Sequence, residues 1–271
     1  MDKTKIKPIL QISNIIAVIA TIIVNALANI LPIGGKYTGE LSDNIPNLFV
    51  PAGITFSIWG VIYILLILFA IYQARDLFRK EKIEMPYIEQ ISFLFILVSL
   101  FNICWIFLWH YEQVTISLLV MVLLFLSLLG IYLRLDIGRR EVSLKEKIMV
   151  HVPFSVYIGW ITVATIANVT AVLVTVNWDG FGISEEIWTM LVLIIATIIT
   201  ILILATRKDI AYSAVIIWAL LGIYIKRIGD DPIYGVQTQI ANTALLGIII
   251  IAIFAFIAFY RAQKEKKTLQ S

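Results

Sequence analysis

Residues 52–73 read AGITFSIWGVIYILLILFAIYQ, a run of 22 positions without one Asp, Glu, Lys or Arg. A helix crosses a hydrocarbon core about 30 Å thick with about 20 mostly apolar residues, so this stretch predicts a membrane span. The pattern recurs at residues 9–31, 90–109, 114–133, 152–176, 187–206, 210–225 and 238–260, again without a charged side chain. A charge at a helix centre costs at least about 2.5–3.5 kcal/mol on insertion scales, which keeps such runs free of them. The run at 210–225 is the shortest. The expected fold is all-α, a polytopic membrane bundle of eight transmembrane helices.

Composition points the same way. Of 271 residues, 61% are apolar and 14% charged, with a mean hydropathy of +0.95, against about 45–50% and about 25% in a soluble domain. Too few polar residues remain to cover a globule in water, which excludes a soluble enzyme, a disordered chain and a disulfide-knit secreted domain. One cysteine, Cys104, allows neither an internal disulfide nor a thiolate metal cluster. The net charge of +3 does not imply nucleic acid, because the cations sort by membrane face. Counting alternate segments between the runs, 18 of the 21 Lys and Arg fall on one side. The positive-inside bias makes that side cytoplasmic and puts both termini there, in a multi-pass protein of the cell membrane.

Lys3, Lys5 and Lys7, an apolar stretch and Ala26-Leu27-Ala28 have the outline of a secretory signal. Gln11 and Asn14 interrupt that stretch, and it continues to Leu31 without a polar break, so the first helix is expected to be retained. Most connections are short. The longest outer loop, residues 32–50, carries Gly34, Gly35, Gly39, Pro46, Glu40 and Asp43. It is long enough to lie over the bundle mouth as a lid, or to be a plain connector. The inner loops at 74–86 and 136–150 mix both charge signs, as solvated ends near headgroups do.

Ion-coupled carriers and proton pumps usually place ionisable groups mid-membrane, and these runs have none. No lysine is placed for a retinal Schiff base, no histidines or carboxylates pair as metal ligands, and His110 and His151 sit at run ends. Acid, base, nucleophilic and metal catalysis lack equipment, so a binding protein without a resident cofactor is expected rather than an enzyme. What remains is aromatic and amide. Phe56, Trp59 and Tyr63 share one face of the second run, and Ser99, Asn102, Trp105 and Trp109 share a stripe of the third. Tyr157, Trp160, Ala164 and Asn168 align on the fifth, and Asn25 and Asn29 lie one turn apart on the first.

Two readings of these stripes stay open. In one, the asparagines are interhelical glue worth about 0.6–2 kcal/mol each and the tryptophans form an interfacial belt. That suits Trp109, Trp178 and Trp188 at run ends, and suits the deeper Trp59, Trp105, Trp160 and Trp218 poorly. In the other, the stripes line a pocket for a flat apolar ligand with polar edges, since pockets combine apolar walls with a few polar groups.

The same segments resemble the TspO/MBR family, the tryptophan-rich sensory or translocator proteins. The stretch from Phe49 through Pro51 and Trp59 to Tyr63 is similar to the family's second-helix signature, a proline, then a tryptophan and a tyrosine four residues on. Asn102-Ile-Cys-Trp105 resembles its third-helix pair, and Tyr157-Ile-Gly-Trp160 with Asn168 its fifth-helix pattern. The likeness covers roughly residues 10–176. It implies a five-helix bundle binding tetrapyrroles such as porphyrin or haem, sterols and synthetic aromatic ligands, with the loop after the first helix over the pocket. Phe56, Trp59, Tyr63, Asn102, Trp105, Tyr157, Trp160 and Asn168 are then the expected ligand-binding or supporting residues. Some members are reported to degrade porphyrin in light with a tryptophan-dependent step, and family members can dimerise.

The chain departs from the family at Ala52, Ile54 and Val156, where the pattern has proline, tryptophan and proline. The expected organisation is a TspO-like bundle at 1–176 and a three-helix extension with a basic tail at 177–271. The expected function is binding of a flat hydrophobic ligand, most plausibly a tetrapyrrole, for sensing or transport. A facilitative transporter of a small hydrophobic molecule, a partner-binding membrane protein without a ligand and, less favoured, a light-dependent porphyrin-degrading enzyme are the alternatives. The lipid bilayer, that ligand and a second copy of the chain are the expected partners, and nucleic acid is not one.

Overall fold

A computed structural model describes residues 3–31, 33–36 and 38–270. Pro32 and the side chains of Lys3, Lys5, Glu40, Asp43, Lys266 and Lys267 lie outside the described residues. Eight long helices organise the chain: α1 (Lys3–Ile30), α2 (Ile58–Gln73), α3 (Leu94–His110), α4 (Val114–Arg134), α5 (Val152–Thr175), α6 (Glu185–Arg207), α7 (Ile210–Ile228) and α8 (Thr238–Gln270). No strand occurs among the described residues. Among the described residues, seven segments are long and apolar enough to cross a membrane, and the apolar α3 is shorter. The chain is a multi-pass membrane protein with a polytopic helical fold.

Helices differ from the hydropathy reading at both ends of the chain, where α1 starts at Lys3 and α8 runs to Gln270, and at three interior places. The run expected at 90–109 is broken at Ser92, whose φ of 50° ends a short helix at Pro86–Ile91 before α3 begins. The 17 residues of α3 then rise about 25 Å. Helical structure on the fifth run starts early, in the loop expected at 136–150, with Leu144–Glu146 capped by the Ser143 side chain. A π turn at Lys147–His151 follows, and its wider ring accommodates Pro153, which lacks the N–H that a regular turn would use. α7 continues beyond 225 to include Lys226 and Arg227, cations placed where the helix dipole is negative.

The first helix is built inside out. Ile12, Ile16, Ile19, Ile23, Leu27 and Ile30 are exposed to the surroundings, while Gln11, Asn14, Thr21 and Asn25 are buried. In lipid the tails already satisfy an apolar face, so helices associate through packing and polar contacts turned inward. α1 packs on α3 and α2, α3 on α4, and α4 and α2 on α5. The last three helices pack on one another, and α7 lies against α5 and the 3-10 turn at Gly53–Ser57 that leads into α2.

Two contacts fix α7 in place. Asp209 caps its first turn, accepting from the Tyr212 N–H at 3.1 Å, and also accepts from Tyr132 Oη at 2.9 Å and Ser155 Oγ at 2.7 Å. One buried carboxylate thus joins α7 to α4 and α5. Further out, the Ala52 N–H donates to Gly222 O at 3.0 Å and Trp218 Nε1 donates to Thr55 O at 2.9 Å. A glycine is needed at 222 because a Cβ there would lie 1.9 Å from Thr55 Oγ1.

A second buried carboxylate closes the end of α1 and α2 that carries Lys7. Asp76 pairs with Lys7, accepts from Gln11 Nε2 at 2.8 Å and accepts from the Ile83 N–H at 2.8 Å. Burial works against its charge, and the donors from Lys7, Gln11 and Ile83 outweigh it, holding the carboxyl below its ordinary range. A carboxyl depressed by folding contributes stability that is whole above its unfolded value of about 3.9 and fades as pH falls through the folded one. Asp76→Asn is therefore expected to lower stability at pH 7 and to flatten the loss on acidification below pH 4. An acid-unfolding curve parallel to that of the wild type would remove Asp76 from that role.

Candidate ligand-binding site

A cavity opens in the outer half of the bundle between α2, α3, α5 and the loop after α1, with about 660 Å³ of space free of protein atoms, its open mouth included. Its walls are mostly rings: Phe56 and Trp59 at the head of α2, Trp105 and Trp109 on α3, and Trp160 on α5. Trp105 and Trp109 stack, with centroids 5.4 Å apart. Trp59 stands edge-on to Trp160 at 6.1 Å, and Phe56 meets the same indole edge-on at 5.9 Å. The remaining side of α5 is carved out by Ala164, Ala167 and Ala171, whose small side chains recur every three or four residues and leave the space open.

Loop residues Thr38, Ser42, Ile45, Asn47 and Val50 close the outer side, where a lid was expected. The loop is pinned to the end of α3. His110 Nδ1 donates to Ile106 O at 2.8 Å, which leaves Nε2 to accept from the Thr38 hydroxyl at 3.2 Å. Lys36 and Glu112 form an ion pair at 2.6 Å, exposed and so worth at most about 1 kcal/mol. Gly34 has a φ of 65°, and a Cβ there would sit 2.6 Å from His110 O, which excludes a larger residue. At the α2 end, Asn47 Oδ1 accepts from the Phe49 and Val50 N–H groups at 3.1 Å each, turning the chain toward Pro51.

The eight expected residues divide in two. Phe56, Trp59, Trp105, Trp160 and Asn168 line the cavity. Asn168 accepts from Trp105 Nε1 at 2.9 Å and donates to Ser117 Oγ at 3.2 Å, so one amide fixes a wall indole to α4. Tyr63, Tyr157 and Asn102 stand behind the wall. Tyr63 stacks on Trp59 at 5.8 Å, Tyr157 meets Trp59 edge-on at 6.3 Å, and Asn102 accepts from Asn25 Nδ2 at 2.7 Å. Trp109, which the belt reading places at the interface, lines the cavity instead. Its position four residues beyond Trp105 on the same stripe was the available signal. Trp178 and Trp188 do cluster at the outer ends of α5 and α6, 5.3 Å apart.

Polar equipment at the cavity is sparse. The indole N–H of Trp160 is buried and has no hydrogen-bond partner in the protein. Among the described residues, no three His, Cys, Asp or Glu side chains gather to hold a metal ion. A second cavity of about 390 Å³ lies between α5, α6 and α7. Its polar groups, Thr162 and Tyr212, already bond each other at 3.3 Å, so it offers no spare donor.

The chain matches the family of TSPO-like proteins over residues 11–257, from the first helix into the eighth. No curated protein and no solved structure matches it.

Proposed function

The chain belongs to the TSPO-like protein family, and on that premise we propose that it binds a flat hydrophobic ligand, a tetrapyrrole of the porphyrin or haem class, in the outer cavity for sensing or transfer at the cell membrane. The observation that carries this reading is the wall itself: four indoles and a phenyl ring line one cavity, with one buried indole N–H unpaired. A flat conjugated ring gains area burial on such a wall and about 0.5–1.5 kcal/mol more for each well-placed aromatic pair. The ligand enters from the outer side past residues 38–51 and stacks on the Trp105–Trp109 pair. Trp59, Phe56 and Trp160 meet its edge, and the Trp160 N–H donates to a polar substituent. Asn168 holds Trp105 in register, and Tyr63, Tyr157 and Asn102 keep Trp59 and Trp160 from swinging away. Residues 1–176 hold the ligand in this reading, and 177–271 form an extension that braces the α2 end of the cavity.

Trp105→Leu removes one of the stacking faces without adding charge. Titration of the purified protein with protoporphyrin IX, followed by the Soret band, is expected to show an affinity about tenfold lower, the equivalent of about 1.4 kcal/mol. The melting temperature, measured alongside, separates a lost contact from a lost fold. Wild-type affinity in a folded Trp105→Leu variant would remove the stacked pair from the site.

A further inference from the structure

Ten buried side-chain nitrogens and oxygens among the described residues have no hydrogen-bond partner in the protein, and five of them belong to a line of residues joined by contacts from α1 to the cavity wall. They are Asn14 Oδ1, Thr21 Oγ1, Asn102 Nδ2, Tyr157 Oη and Trp160 Nε1. α1 carries the first two on its interior face, between Gln11 and Asn25, over a rise of about 21 Å. At the cytoplasmic end the line starts on Asp76, which accepts from Gln11 Nε2. Gln73 Nε2 donates back to Gln11 O at 2.9 Å, and Asn14 Nδ2 donates to Gln73 Oε1 at 3.5 Å. At the other end Asn25 Nδ2 donates to Asn102 Oδ1 at 2.7 Å, and Asn102 faces Tyr157. The Tyr157 ring abuts Trp59 in the cavity wall.

Buried polar groups in native proteins are almost always satisfied, and at this depth lipid supplies neither donor nor acceptor. Water can, since a buried molecule makes two to four bonds to groups left unpaired. Between Asn14 and Thr21 the helix rises about 10 Å, a gap that about four hydrogen-bonded steps of roughly 2.8 Å, through about three waters, cover. We propose that the interior of α1, α2, α3 and α5 is a hydrated seam, a file of water molecules that joins the Asp76–Lys7 pair at the cytoplasmic face to the floor of the cavity. The cavity is then reached by its ligand from the outer side and by water and protons from the cytoplasmic side. This assignment does not rest on the identity of the ligand.

The test is radiolytic hydroxyl labelling of the full chain in lipid nanodiscs, read by mass spectrometry after exchange into ¹⁸O water. Radicals formed on internal waters modify side chains that bulk solvent does not reach. Val18, between Asn14 and Thr21 on the same face, is 3% exposed, and Ile251 on α8 and Phe154 on α5 are 0% exposed. Phe154 sits in a ring cluster with Phe69 and Phe95 and serves as the dry reference. With intrinsic reactivity corrected for, Val18 is expected to label at least fivefold faster than Ile251 and Phe154, and equal rates would overturn the seam. The double substitution Asn14→Leu with Thr21→Val is expected to abolish the excess at Val18, and an excess that persists would also overturn it. Should that variant fail to fold, the wild-type contrast between Val18 and the two references decides alone.

Discussion

Gly222→Leu is expected to weaken protoporphyrin IX binding at least tenfold and to lower the melting temperature, although residue 222 lies outside the cavity lining. The cause is a close approach that the helix hides from its own sequence. A Cβ at 222 would lie 1.9 Å from Thr55 Oγ1 and 2.9 Å from both Pro51 Cβ and Thr55 Cβ. Overpacking of this kind typically costs about 1–3 kcal/mol, and here it is relieved only by separating α7 from the turn at Gly53–Ser57. Separation breaks the bond from the Ala52 N–H to Gly222 O and the bond from Trp218 Nε1 to Thr55 O. Phe56, inside that turn, and Trp59, one turn beyond it, move with it. Trp218→Phe, which removes one hydrogen bond and keeps the packing, is expected to do the same more weakly. Binding by Gly222→Leu at wild-type strength would show that α7 does not position the cavity wall.

Asp209→Ala should produce the largest loss of stability of any single change at the α6–α7 turn. Alanine removes the cap of α7, worth about 1 kcal/mol, and strips the acceptor from two buried hydroxyls, each costing about 1–3 kcal/mol when left unpaired. The sum is about 3 kcal/mol after relaxation, and the melting temperature is expected to fall on the order of 5–10 °C. Asp209→Asn keeps the capping oxygen and puts an NH2 donor where both hydroxyls were accepted, a group that a rotated hydroxyl can accept from, so its loss should be smaller than that of alanine. Tyr132→Phe and Ser155→Ala each delete one arm of the same network, and their effects should not add to that of Asp209→Ala. A melting temperature unchanged by Asp209→Ala would mean that the carboxylate does not tie α7 to α4 and α5.

The spans were legible because an uncharged run of this length has one stable solution in lipid, a helix that satisfies its own backbone. What hydropathy could not carry is local backbone detail: the positive φ at Ser92 that shortens α3, and the π turn ahead of Pro153. The aromatic stripes were legible from three-and-four spacing, which brought Phe56, Trp59, Trp105, Trp160 and Asn168 to the cavity. Periodicity says which residues share a face and not what the face meets, so Tyr63, Tyr157 and Asn102 fell one layer behind. Trp109 was obscured because a span end on the lid side is also an interfacial position. Thr38 and Ser42 come from a short helix at Thr38–Asp43 and Ile45 and Asn47 from the loop after it, a connection too short and too polar to show an apolar period. The bond from Trp218 to Thr55 joins residues 163 apart in sequence, beyond the reach of any local pattern. Yet Trp218 had already stood out as too deep for the interfacial belt.

The most direct measurement is a protoporphyrin IX titration of the wild-type chain beside Trp160→Phe, with stoichiometry read from the break point and affinity from the curvature. Phenylalanine keeps an aromatic wall opposite Trp59 and Phe56 and deletes the unpaired N–H, so it separates the polar contact from the packing. The expected result is one saturable site per chain in the micromolar range, weakened several-fold in a Trp160→Phe variant that melts with the wild type. Non-saturable partitioning that is identical in both proteins would contradict binding in the aromatic cavity.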